Sequence, residues 1–203
     1  ALEKKMIKDV TDAYHKEGKP VIVVINSGSV IETASWRDLP DAILIAWQPG
    51  EEGGNSVVDI LTGKVCPSGR LTLTWPIAAT DHPSTKTFAH EDVARHEEGI
   101  WVGYRYFDTN NKNVAYPFGY GLSYTTFDFS TPTVKKSGKN IVLSVTIKNT
   151  GNVAGKEVAQ VYVTAPKGGL EKPAKELKGF ARVALKAGQT KKVALELPVS
   201  ELR

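Results

Sequence analysis

The chain has 203 residues, enough for one large domain or two small ones; 41% are hydrophobic and 24% charged, the composition of a globular protein. No run approaches the roughly 20 apolar residues that span a bilayer, and Ala1 to Tyr14 alternates charge with apolar residues, unlike the apolar block of a signal peptide. A lone Cys66 excludes any disulfide framework within the chain.

The net charge of +4 divides unevenly: residues 1–124 carry 12 Lys and Arg against 16 Asp and Glu, and residues 125–203 carry 14 against 6. The shift from −4 to +8 predicts two domains, 1–124 and 125–203. Lysines in the basic half are spaced singly along alternating strands, without the arginine or aromatic cluster that reads bases, so nucleic acid is not an expected partner.

Leu2, Met6, Ile7, Val10, Ala13 and Tyr14 recur at spacings of three and four and predict a helix, stopped by Gly18 and Pro20. Val21 to Ile25 is apolar at every position, which predicts a strand in the middle of a parallel sheet, covered on both faces. It ends at Asn26-Ser27-Gly28-Ser29, which lacks phosphate-loop glycine spacing and reads as a plain turn. Val30 to Leu39 is a short helix or loop, and Ala42 to Trp47 a second apolar strand. Pro49-Gly50-Glu51-Glu52 opens a helix with both glutamates near the positive end of its dipole, and Gly63 closes it. Arg70 to Trp75 alternates as a half-exposed strand stopped by Pro76. Residues 76–103 are irregular and rich in His and acidic residues; a loop this long reads as functional or as a cover over another domain. From Thr125 the period becomes two, with Ile141, Leu143, Val145 and Ile147 facing one way, a turn at Asn149-Thr150-Gly151-Asn152, and further strands over 158–164, 177–185 and 193–197. The expected fold is therefore an α/β layered domain, a partial parallel sheet with helices on both faces, followed by an all-β fibronectin III or immunoglobulin-like sandwich. A complete sandwich of this kind has about seven strands in about 100 residues; the 79 residues here suggest roughly five strands and an unfinished domain.

The run Ala46-Trp47-Gln48-Pro49-Gly50-Glu51-Glu52-Gly53-Gly54-Asn55 resembles the second-domain motif of glycoside hydrolase family 3. So does Gly63 to Leu71, with Cys66 where the family usually has Asn. Closer still are Gly99-Ile100-Trp101-Val102-Gly103-Tyr104-Arg105-Tyr106-Phe107-Asp108 and Pro117-Phe118-Gly119-Tyr120-Gly121-Leu122-Ser123-Tyr124-Thr125-Thr126-Phe127; Asn149-Thr150-Gly151 and Leu177 to Phe180 add weaker matches. The resemblance implies a parent in which a (β/α)8-like barrel carries a nucleophilic Asp, an α/β sandwich carries the acid/base Glu in a glycine-rich loop, and a fibronectin-like domain packs behind both. The chain would begin just after that acid/base loop. It implies a retaining, exo-acting β-glucosidase using no metal or organic cofactor, with a β-linked oligosaccharide or glycoside bound mainly by the absent barrel. Related members act on xylosides, glucosides or N-acetylglucosaminides. A periplasmic or secreted parent is favoured over a cytoplasmic one.

Retaining glycosidases place two carboxylates about 5–5.5 Å apart. The resemblance places both reacting carboxylates upstream of this chain, so no catalytic residue is assigned within it. Glu51 and Glu52 are adjacent in sequence and sit where a helix dipole favours the ionised form, the opposite of what a general acid needs. Glu97 and Glu98, beside the Gly-Tyr-Arg-Tyr block, are candidate substrate-proximal residues. His82, His90 and His96 with Asp81, Glu91 and Asp92 have spacings that match no metal-ligand pattern, so no metal site is assigned. Glu52, Gly103, Tyr104, Arg105, Tyr106, Asp108, Gly119 and Gly121 read as structural: Arg105 is expected to pair with Asp108 or stack on neighbouring rings, and the glycines to permit close backbone approach. The alternative reading is a stand-alone carbohydrate-binding or scaffolding module. Against it, Phe127, Phe129, Tyr162 and Phe180 are too scattered for a sugar-stacking row. A nucleotide-binding α/β protein would need the glycine fingerprint that is missing.

Overall fold

A computed structural model describes residues 2–88, 92–93, 95–166 and 168–202. Helix α1 (Leu2–His15) carries Lys5–Asp9 and Lys8–Asp12 pairs on its wet face and ends where Gly18 turns left-handed at φ 67°. Its Ile7 reaches the core and Thr11 is buried, but Leu2, Met6, Val10 and Tyr14 stand exposed. Strands β1 (Ile22–Ile25) and β2 (Ala42–Ile45) pair in parallel, Ile22 opposite Ala42. Asp41 ties the start of β2 to the end of α1: its carboxylate accepts from the Val21 amide at 2.7 Å and lies 2.9 Å from His15 Nε2. Those contacts, the Val21 amide foremost, hold its acid below the usual carboxylate range.

Ile25, Trp36, Leu71, Trp75 and Ala115 form the core of this layer, with Val23, Ile43, Ile45 and Tyr116 packed around them. Trp75 is fully buried, with Trp47 and Tyr116 edge-on at 6.0 and 6.2 Å. Helix α2 (Gly53–Leu61) flanks an open groove of about 790 Å³ that Ile22, Leu44, Val57, Ile60 and Leu122 help to line. β3 (Trp75–Pro76) pairs antiparallel with β4 (Val114–Tyr116), and the short helix α3 (Tyr104–Thr109) lies between them in sequence.

The structure departs from two expectations. The alternating run over 70–75 is a strand only at Trp75, because Leu71 bonds instead to the 119–120 loop, through Leu71 N to Tyr120 O at 2.8 Å and Gly119 N to Leu71 O at 2.7 Å. β1 is not covered on both faces: Ile22 and Val24 are 46% and 40% exposed, and among the described residues its only strand partner is β2.

The second half is a β-sandwich of six described strands. β5 (Phe127–Phe129), β6 (Thr133–Ser137) and β10 (Thr190–Pro198) all pair antiparallel with β7 (Asn140–Asn149). β8 (Gly155–Val163) and β9 (Glu176–Leu185) pair antiparallel in a second sheet, with an irregularity at Val161/Tyr162. Ile147, Ala159, Val183 and Leu185 close the core between the sheets with Phe127, Val145 and Val193. Asn149 is wholly buried and fully bonded: its Oδ1 accepts from Thr125 Oγ1 (2.6 Å) and the Gly151 amide (3.1 Å), and its Nδ2 donates to the carbonyls of Val153 (2.8 Å) and Leu185 (3.2 Å).

Candidate functional site

Tyr104, Arg105, Asp108 and Gly119, four of the residues singled out in sequence, meet sandwich residues where the α/β layer abuts that domain. Gly103 opens α3 at φ 56°, the left-handed conformation glycine adopts without cost. The Tyr104 ring then lies 5.1 Å from Phe118 and 5.7 Å from Tyr162, and its hydroxyl accepts from the Leu177 amide at 2.8 Å. Arg105 does not pair with Asp108. Its guanidinium lies 5.4 Å from the Tyr104 ring and its Nε 3.8 Å from Glu176, because β9 brings an acid to that side of the helix. Asp108 instead meets Lys175 at 3.0 Å, and the same ammonium lies 5.1 Å from the Tyr162 ring. Tyr106 lies edge-on to buried Phe107 at 5.4 Å. Glu52 precedes α2 and accepts from Asn55 Nδ2 at 2.6 Å, away from this junction.

A Cβ on Gly119 would come within 2.5 Å of the Gln160 amide of β8, and one on Gly121 within 2.4 Å of the Gly69 carbonyl. Sequence spacing missed a further tie, a largely buried ion pair. Arg70 Nη2 bonds both carboxylate oxygens of Glu157 at 2.9 and 2.8 Å, with both side chains largely buried, and Arg182 bonds Ser68 Oγ at 2.7 Å nearby. An isolated Glu in an otherwise ordinary alternating strand carried the only hint.

Glu97 and Glu98 line a small cavity of about 270 Å³ with Trp101, Tyr106 and Glu171. Glu97 is exposed, whereas the Glu98 side chain is largely buried and lies 3.4 Å from His96 Nδ1. The cavity offers carboxylate acceptors beside aromatic rings. His82 sits edge-on to Phe107 at 5.4 Å, and burial pushes its imidazole below the ordinary value. Asp81 accepts from the Ala78 amide, and Asp92 is exposed. His90 and Glu91 lie outside the described residues, among which no group of three or more candidate ligands gathers.

Fold and junction define a class: an α/β layer bonded through a buried ion pair to a fibronectin-type sandwich. The profile of the glycosyl hydrolase family 3 C-terminal domain matches residues 2–124, and that of the fibronectin type III-like domain residues 157–203. The chain belongs to glycosyl hydrolase family 3. It is 41% identical to β-glucosidase A of Butyrivibrio fibrisolvens over 98% of its own length and 26% of that protein's. It is 42% identical to the exo-α-(1→6)-L-arabinopyranosidase of Bifidobacterium longum over 87% of itself and 24% of that protein. The structure of β-glucosidase 3B from Thermotoga neapolitana in complex with glucose superposes with a TM-score of 0.94 at 48% identity, covering 98% of this chain and 29% of that one. The chain thus spans about a quarter of the length of these relatives.

Proposed function

We propose that the chain is the C-terminal part of a retaining, exo-acting β-glucosidase and that it supports an active site whose reacting carboxylates lie in the rest of the enzyme. The likeness to Thermotoga neapolitana β-glucosidase 3B carries this reading, since it runs through nearly all of this chain and under a third of that enzyme. In this reading residues 1–124 complete the α/β domain, residues 125–203 form the sandwich, and the junction around Tyr104, Arg105, Gly119 and Gly121 holds the two in register. Glu97 and Glu98 lie on the face turned toward substrate. The match to an arabinopyranosidase is as close in identity as that to a β-glucosidase, so sugar choice is assigned to the rest of the enzyme.

The test has two arms. The purified chain is expected to leave p-nitrophenyl β-glucoside untouched. Grafted in place of the matching region of the Thermotoga neapolitana enzyme, it is expected to give a chimera that hydrolyses it. Turnover by the isolated chain, or a folded chimera without activity, overturns the proposal.

A further inference from the structure

The two sheets of the sandwich face different surroundings. β8 and β9 meet the α/β layer, through Arg182 to Ser68, Glu157 to Arg70 and Tyr162 to Tyr104. The sheet of β5, β6, β7 and β10 lies on the other side of the core. Ile147 is wholly buried between the sheets, so the residues that alternate with it along β7 turn outward. Lys148 stands there between Asp128 and Thr190, and Thr146 stands opposite Lys192. Ser144 lies between Thr133 and Ala194, and Val142 between Lys135 and Glu196. The face is flat, polar and open to solvent, with Lys135, Lys148 and Lys192 all exposed.

Its charge is one-sided. Residues 127–149 and 186–198 hold these four strands and the turn into β10, and they contain seven lysines, no arginine and two acids, Asp128 and Glu196. Lys136 and Lys139 join Lys135 at the β6–β7 hairpin, while Lys186 and Lys191 lie beside Lys192 at the turn into β10. Among the described residues none of these seven ammonium groups is paired with an acid. The paired lysines of the domain are Lys175 and Lys178, beside Asp108 and Glu176. Two further acids, Glu157 and Glu176, face arginines of the α/β layer.

The occupant follows from what the face carries and what it lacks. Nucleic acid is gripped by arginine forks and by aromatic rings that stack on bases, and the outward positions have neither. A membrane surface calls for apolar side chains that enter the acyl boundary, and Val142 is the one large apolar residue among the outward positions named. Lysine is a compact point charge with three donors, and the hydroxyls of Ser144, Thr146 and Thr190 can donate and accept. That set suits a chain of sugars bearing carboxylates, ammonium meeting carboxylate and hydroxyl meeting hydroxyl. We propose that the outward face of the β5–β6–β7–β10 sheet docks an acidic polysaccharide, a polymer of uronate sugars, and so anchors the protein in an anionic matrix. The inference goes beyond the glucosidase reading and does not depend on it.

The probe is polygalacturonate, titrated into the full chain in a calorimeter. Saturable binding is expected in low salt, and its loss by about 1 M salt, where the Debye length is about 3 Å. Lys148→Glu and Lys192→Glu should each weaken binding roughly tenfold or more, the effect of reversing a lysine against an anionic surface. Lys16→Glu makes the same charge change on the exposed turn after α1 and should weaken binding less than about twofold, being outside the reach of a screened charge. Urea midpoints should be unchanged for all three, as for other surface substitutions. The fully methyl-esterified polymer, with the same sugars and no charge, should not bind. Absence of binding to polygalacturonate, equal weakening by Lys16→Glu, or equal binding of the ester would each overturn the docking face. So would tighter binding of duplex DNA or of phosphatidylserine vesicles.

Discussion

Single side chains decide more here than their types suggest. Asn149 satisfies two donors and two acceptors inside the sandwich, and no apolar residue can replace that set. Asn149→Leu should destabilise the protein by about 3 kcal/mol in urea unfolding, because buried partners lose their bonds. Sequence reading recognised Asn149-Thr150-Gly151 as a turn and a weak family match but not as a buried hub, since the bonds to Thr125 and Leu185 come from residues distant along the chain. His82 offers a pH test. Burial lowers its folded-state affinity for a proton below that of the unfolded chain, whose value is 6.5. The unfolded state then binds more protons, so stability rises with pH through that region and is lost as pH falls below about 6.5. His82→Phe should flatten that part of a stability-versus-pH profile.

At the scale of elements, legibility followed how local the cause was. α1, β1, β2 and the sandwich strands β7 to β10 could be read because their periodicities are properties of consecutive residues. The run over 70–75 misled because its amide and carbonyl partners lie near residue 120. β6 escaped notice because Val134 is its only apolar residue and every position is exposed. The aromatic block at 104–107 gave no sign of being the helix α3, although its content marked the junction. The loop after β4 carries a sharp test. Gly121→Ala would drive a methyl to 2.4 Å from a backbone oxygen that cannot swing aside, whereas the clash at Gly119 is with a flexible glutamine. Gly121→Ala should therefore cost about 2–4 kcal/mol in thermal or urea unfolding. Gly119→Ala is strained mainly by its φ of 81° and should cost about 1–2 kcal/mol.

For the molecule as a whole, the question is whether the two layers behave as one. The Arg70–Glu157 pair is largely buried at 11% and 15% side-chain exposure. Removing one partner leaves an uncompensated charge, so Arg70→Met or Glu157→Gln should cost about 3–5 kcal/mol. The double replacement Arg70→Met/Glu157→Leu should recover much of that loss, and a double-mutant cycle in urea measures the coupling. What the sequence withheld at this scale was the pairing itself, since 87 residues separate the partners. The family motifs nevertheless marked the segments on which Arg70 and Tyr104 sit.

Cys66 stands beside the contact between the two layers. Its sulfur is half-buried, 3.1 Å from Ser123 Oγ, and a Cβ on Gly155 at the start of β8 would lie only 3.5 Å from it. The sole thiol of the molecule is thus placed at the seam, and alkylation clocks how often the seam parts. Labelling of Arg70→Met by iodoacetamide should outpace that of the unaltered protein, turning one sulfur atom into a stopwatch for domain separation.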